Sequence, residues 1–133
     1  RAAKTSKEEV VGLVTALELF LAEDEKAETE RFRAVSTSIV DGIGDMPGLR
    51  AVVEQDPINR VLPQAVIYFE PSWKGPSGRA VQLALAEGEP HIYVQQGPHQ
   101  GGYADEIAID PINLQPGDGA VIVRRLREEL GRR

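Results

Sequence analysis

Apolar residues recur at helical spacing from the start of the chain. Val10, Val14, Leu17 and Leu21 fall at i, i+4, i+7 and i+11, and Phe32, Val35 and Ile39 resume the period after a polar interruption. Ser6-Lys7-Glu8-Glu9 precedes the run with the Ser-x-x-Glu spacing in which a hydroxyl and a carboxylate reciprocally satisfy the first free backbone N–H groups. No Gly or Pro falls between Leu13 and Asp41, and Gly42, Gly44 and Pro47 follow. The pattern predicts one continuous helix over residues 6–40, roughly 35 residues and about 50 Å long at the α-helical rise. Its middle, Glu23-Asp24-Glu25-Lys26 and Glu28-Thr29-Glu30-Arg31, is polar on every face. A chain of 133 residues has one core, which covers about half of such a rod. The stripe of the first half therefore needs something outside that core, an absent large domain or a second subunit.

Downstream the period shortens. Residues 49–53 have strand character and lead to a turn at Asp56-Pro57-Ile58-Asn59. Residues 64–69 are nearly all apolar, as expected of a central strand covered on both faces. A Pro/Gly loop holding Trp73 precedes Ser77, a candidate N-cap for a short helix over 78–87 that Gly88 ends. Strands are expected at 91–95 and 106–110, separated by the polar, Gly-rich residues 96–103. Past Asp110-Pro111 and Gln115-Pro116-Gly117, Asp118 is the candidate cap of a last helix whose Ile122, Val123, Leu126 and Leu130 form a stripe, with Gly131 as C-cap. The order α-β-β-α-β-β-α describes an α+β fold: a long N-terminal helix and a small, mainly antiparallel four-stranded sheet with helices on one face. Residues 1–133 form a single domain, with 1–21 as the half-helix that reaches outside and 32–133 as the core.

Composition narrows the classes of function. At 14.5 kDa, with 41% hydrophobic and 27% charged residues, the chain is an ordinary globular domain. A net charge of −6 argues against nucleic-acid or membrane-surface binding, because phosphates are held mainly by Lys and Arg. The acidic run at 22–30 and the Arg-rich tail (Arg124, Arg125, Arg127, Arg132, Arg133) read as solvated helix faces. No stretch has the length of a membrane span. The absence of Cys excludes disulfides and thiolate chemistry and fits a cytoplasmic setting. There is no phosphate-cradling loop, no nucleophile elbow and no metal-ligand spacing, so no catalytic or metal residue is assigned. His91, opening a strand, reads as structural, whereas His99 lies in a loop with Gln96, Gln100 and Tyr103, where function concentrates. Trp73 reads as a lid over the edge of the sheet or a contact with an absent portion of the protein. Arg1, Lys4 and Lys7, spaced i, i+3, i+6, fit either a frayed basic terminus or a cationic cluster at a helix N-terminus that holds an anionic group.

Residues 1–18, Arg1-Ala2-Ala3-Lys4-Thr5-Ser6-Lys7 followed by Glu8 to Glu18, resemble the R-A-x-[RK]-x-x-K-x-x-[ILV]-x-x-L-x-x-[AT]-L-E segment of the selenocysteine synthase (L-seryl-tRNA(Sec) selenium transferase) family and its D-glucosaminate-6-phosphate ammonia-lyase-like relatives. Ile107-Ala108-Ile109-Asp110-Pro111, Leu114-Gln115-Pro116-Gly117-Asp118 and Val123-Arg124-Arg125-Leu126-Arg127 are similar to that family's closing strand, turn and last helix. The resemblance implies the C-terminal small domain of a fold-type I enzyme that uses pyridoxal 5'-phosphate (PLP), the cofactor being bound mainly by a large domain this chain lacks. The family's Schiff-base lysine lies upstream of the matched segment. None of Lys4, Lys7, Lys26 and Lys74 corresponds to it, so this chain alone should be inert. Arg1 and Lys4 match a cationic pair that holds anionic substrate groups, with Lys4 supplying a point charge where Arg is common. Around residues 92–96, where relatives can carry a carboxylate-gripping Arg, this chain has Gln95 and Gln96. The implied whole is a cytoplasmic, homodimeric or larger lyase or transferase acting on an amino acid or amino sugar acid, with Arg1, Lys4 and His99 as substrate-binding residues. The rival is a non-catalytic α+β module that binds a small molecule or dimerises.

Overall fold

The computed structural model describes residues 5–58, 60–97 and 105–131. In chain order its elements are α1 (Lys7–Ala22), α2 (Glu25–Ile43), β1 (Leu49–Asp56), β2 (Arg60–Phe69), α3 (Gly78–Glu87), β3 (Gln95–Gln96), β4 (Asp105–Ile109) and α4 (Asp118–Leu130). The strands form one antiparallel sheet in the order β1-β2-β4-β3. This is the α+β arrangement expected from the sequence.

Strand alternation divides the sheet into two unlike faces. Ala65, Ile67 and Phe69 of β2 join Ile107 and Ile109 of β4 on one side. Onto them pack Ile39 and Ile43 of α2, Val81 and Leu85 of α3, and Ile122, Leu126 and Leu130 of α4. All three helices therefore share that face, and the core lies between them and the sheet. β2, the strand predicted to be central, runs between β1 and β4, and its opposite-facing Val66 is fully buried as well. The crossing of α2 and α4 is close because Gly42 lies against the side chain of Val123, which any larger residue would strike. Trp73 caps the end of the sheet, edge-to-face on Phe69 at 6.3 Å between ring centroids, with Nε1 donating to Pro76 O at 2.8 Å.

Several local expectations differ from what the chain does: β2 begins at Arg60, ahead of the predicted residue 64, and Arg125, read as part of a solvated helix face, is buried. The continuous rod is broken at Glu23 and Asp24, whose backbones are extended. Asp24 Oδ1 accepts from the Lys26 and Ala27 N–H groups, so its side chain caps a new helix where a straight rod would need it to carry on. Glu25 and Glu28 in the first turn of α2 favour that start through the helix dipole. The third strand is shorter than predicted. Residues 91–94 spend their groups on α3, with Ile92 N donating to Leu85 O and Gln82 Nε2 donating to Val94 O, and only Gln95 and Gln96 pair with β4. The last helix is capped by Gly117, at φ +100, in place of Asp118. Asp118 is the helix's first residue, and its carboxylate accepts from Gln115 N in the preceding turn. Ser6 with Glu9, and Ser77, cap α1 and α3 as the sequence predicts.

The core closes without α1. Ile39→Ala, at a fully buried position, should lower the unfolding free energy by about 2–5 kcal/mol. Leu19→Ala, on α1 and 65% exposed, should change it by less than about 0.5 kcal/mol. Urea unfolding of the two variants checks both values.

Candidate functional site

Buried charge gathers in two places: α4, where Arg125 Nη2 pairs with Glu129 Oε1 at 2.9 Å, and the face of the sheet turned away from the three helices. Register places Arg50 opposite Tyr68, Val52 opposite Val66 and Glu54 opposite Gln64, and then Tyr68 opposite Glu106 and Val66 opposite Ala108. Arg60, at the start of β2, has the same parity, and its side chain is only 5% exposed. Its guanidinium spends each of its nitrogens. Nε lies 3.2 Å from Glu54 Oε2, Nη1 donates to Gln64 Oε1 at 3.2 Å, and Nη2 donates to the buried Glu106 Oε1 at 2.7 Å. Gln64 passes the chain of bonds on, donating to Asp110 Oδ2 at 2.9 Å. Tyr68 donates to Glu54 Oε1 at 2.7 Å, and the Arg50 guanidinium covers its ring at 4.1 Å from the centroid. Gly97 presses on Glu106, its N–H donating to Glu106 O at 2.9 Å, and a β-carbon there would overlap the Glu106 side chain.

A buried guanidinium is tolerated only when its donors are met by acceptors of good geometry, and here they are. The carboxylates outnumber the charge they surround. Burial, then the hydrogen bond and charge of Glu54 with the charge of Glu106, push the Tyr68 hydroxyl up to about 12 against the opposing pull of Arg60. Tyr68 is thus a neutral hydrogen-bond donor at ordinary pH. The cluster brings no nucleophile to a base, so its capacity is to fix β1, β2 and β4 relative to one another.

Helix N-termini are the other places where a small domain offers an anion site, and those of α1, α2 and α3 are taken by the chain's own side chains. Glu9 and Ser6 close α1, Asp24 closes α2, and Ser77 with Asp105 close α3, Asp105 Oδ2 accepting from Gly78 N at 2.8 Å. Among the described residues no group of three or more His, Asp or Glu could hold a metal ion, and no helix is long and apolar enough to cross a membrane.

Of the residues singled out in the sequence, Arg1, Lys4 and His99 lie outside the described residues. Lys7 opens α1 in an exposed position. His91 has the structural place expected of it, Nδ1 hydrogen-bonded to Ala86 O at 2.8 Å near the end of α3. Gln96 is turned inward, with Nε2 bonded to Gly97 O and reaching Asp105 Oδ1. Sequence reading missed the Arg60 cluster because its members are up to 46 positions apart. The one-dimensional signal was polar residues of one parity within apolar strands, Arg60, Gln64 and Tyr68 in β2 and Glu106 in β4.

Arg60→Met should cost about 3–5 kcal/mol in unfolding free energy, because Glu106 would remain buried without its cation. Adding Glu106→Gln should recover part of the loss in a double-mutant cycle. The Tyr68 shift gives a separate pH signature. A hydroxyl that ionises near 12 in the fold and near 10 unfolded contributes stability that is complete below pH 10 and lost as pH rises to 12. Unfolding measured across that window should show the loss, and Tyr68→Phe should flatten it.

No protein-family model matches the chain. It is 33% identical over 129 residues to the D-glucosaminate-6-phosphate ammonia lyase of Salmonella typhimurium (strain 14028s / SGSC 2262), a match covering 96% of this chain and 33% of that protein. It is 27% identical over 130 residues to a 5'-C-glycyluridine monooxygenase-decarboxylase of a Streptomyces species, covering 98% of this chain and 32% of the relative. A solved structure of D-glucosaminate-6-phosphate ammonia-lyase superposes with a TM-score of 0.68 at 30% identity, covering 98% of this chain and 34% of that one. The chain spans about a third of the length of the relatives it matches. In sequence and in fold, therefore, it corresponds to one domain-sized third of D-glucosaminate-6-phosphate ammonia lyase, with the α+β small-domain architecture that its two ends led us to expect.

Proposed function

We propose that this chain is the C-terminal small domain of a PLP-dependent lyase of fold type I that acts on an amino acid or amino sugar acid. The observation that carries the reading is the match of nearly the whole chain, in sequence and in fold, to a third of an ammonia lyase. PLP, where bound, withdraws electrons from the substrate's α-carbon and so labilises its bonds. The cofactor would be held by the remaining part of a longer polypeptide. Lys7, Lys26 and Lys74 stand in no Gly-rich stretch of the family's kind, and Ser6, Asp24 and Asp105 already occupy N-terminal donors of α1, α2 and α3.

The work of this chain is then to close one side of the cleft and to bind. Arg1 and Lys4 supply positive charge to the anionic groups of the substrate, and His99 a hydrogen bond. The enzyme acts as a cytoplasmic homodimer or larger assembly, and this chain is inert by itself. D-glucosaminate 6-phosphate, the substrate in the relative's name, is the first compound to try.

The longer polypeptide should be yellow, lose its visible band on borohydride reduction and release ammonia from D-glucosaminate 6-phosphate, while this chain alone stays colourless. Arg1→Ala and Lys4→Ala should each raise KM about tenfold with a smaller change in kcat, a charge-assisted hydrogen bond contributing roughly 1.5–3 kcal/mol. A colourless polypeptide that takes up no PLP would overturn the reading and leave a non-catalytic binding or dimerisation module.

A further inference from the structure

The strand order leaves β1 at one edge of the sheet, with β2 as its one neighbour among the described strands. Glu70 N donates to Gly48 O at 2.9 Å on the same register that pairs Leu49 with Phe69, so Gly48 and Glu70 form a hydrogen-bonded pair of that ladder. By alternation Arg50, Val52 and Glu54 also turn their N–H and C=O groups to β2, and Ala51 and Val53 turn theirs outward. Among the described residues no hydrogen bond reaches those outward groups. The register shift between Glu54 and Asp56 ends the regular edge, so a further strand has Leu49 to Glu54 to pair with. An open row of this kind is a template for another strand.

We propose that β1 pairs with β1 of a second copy of this chain, antiparallel, in the register that sets Val52 against Val52. Charge selects the register. Outward residues must meet outward residues, so Ala51 faces either Ala51 or Val53 of the other copy, or Val53 faces Val53. The first choice sets Arg50 against Val52 and the last sets Val52 against Glu54. With Ala51 against Val53, Arg50 of each copy stands directly opposite Glu54 of the other, at the non-hydrogen-bonded positions where side chains lie closest. Both side chains remain accessible, at 52% and 33% exposure. The same register acts on the helix face. Arg33 of α2 hydrogen-bonds Gln55 at one end of β1, and Asp41 and Asp45 share a groove with Leu49 and Ala51 at the other end. Gln55 of one copy comes opposite Leu49 of the other, so Arg33 of each is carried toward Asp41 and Asp45 of its counterpart. Opposite charges thus meet on both faces of the joined edge, and each contact occurs twice about a two-fold axis. Such self-complementarity is what a second copy requires and an unrelated strand does not. The edge lies wholly within this chain, so the proposal does not rest on the PLP reading.

Sedimentation of this chain over a range of concentrations, with hydrogen exchange at single amides read by NMR, tests the pairing. The chain should pass from monomer to dimer as its concentration rises. The Ala51 and Val53 amides should exchange about 100-fold more slowly in the dimer, while Val52, bonded to β2, stays slow throughout. Ala51→Pro removes an N–H that has no partner within one copy, and should abolish the dimer while leaving the fold. Arg33→Glu should weaken association about tenfold, and adding Asp41→Arg should restore it. The rescue cannot arise within one copy, because the two positions are about 12 Å apart along α2. A chain that stays monomeric at millimolar concentration, with Ala51 and Val53 exchanging as open backbone does, would overturn the proposal. A dimer indifferent to both Ala51→Pro and Arg33→Glu would also overturn it and put the contact elsewhere. Protection of Ala51 and Val53 in a monomeric longer polypeptide, independent of concentration, would give the edge to one of that polypeptide's own strands instead.

Discussion

Much of the sheet depends on the buried cation Arg60. Arg60 reaches across the helix-free face of the sheet to Glu54 on β1, Gln64 on its own strand and Glu106 on β4. Burying a guanidinium costs several kcal/mol, which only near-complete hydrogen bonding offsets. The same bonds tie three strands together where no helix lies. They also fix register, since a slip of one residue would send Arg60 toward Ile67, Ile107 and the helices and turn apolar residues to the polar side. Val66 and Ala108, on the polar face, are buried beside this cluster. One side of the sheet is thus closed by packing and the other by charge.

The charged side has a steep dependence on its surroundings. Glu54 and Glu106 gather around one guanidinium, Asp110 joins through Gln64, and Arg50 is set against Tyr68 at the edge. Such a cluster holds geometry without offering chemistry, since each strong donor has an acceptor and Tyr68 stays protonated. The N-termini of α1, α2 and α3 behave alike, filled by Glu9, Asp24 and Asp105, whereas α4 starts after Gly117 without a side-chain cap. The chain resembles one third of an ammonia lyase in sequence and in fold.

Sequence periodicity made the element order, the layer class and the central strand legible, because Ile67, Ile107, Ile39 and Leu126 repeat at the periods their elements require. Caps at Ser6 and Ser77 were legible because capping is local. Three features depended on competition between local choices. Asp24 could continue a helix or start one, and nothing packs across the elbow to favour the straight form. Residues 91–94 could pair with β4 or serve α3, and α3 takes Ile92 and Val94. Gly117 outcompetes Asp118 as cap because a residue at φ +100 is needed at the turn. The Arg60 cluster depends on contacts 46 positions apart, which no local pattern carries. The substrate contacts proposed for Arg1 and Lys4 rest on motif resemblance, and that for His99 on its place in a polar, Gly-rich loop.

Residues from Asp24 onward close their own core, and α1 buries none of its residues on it. Urea unfolding of a chain beginning at Asp24, set beside the full 133 residues, tests this division of the molecule. The two should share one midpoint and one cooperativity, because α1 buries none of its residues on this core. A shortened chain that is unfolded, or whose midpoint falls by the equivalent of about 2 kcal/mol or more, would instead make α1 part of the core.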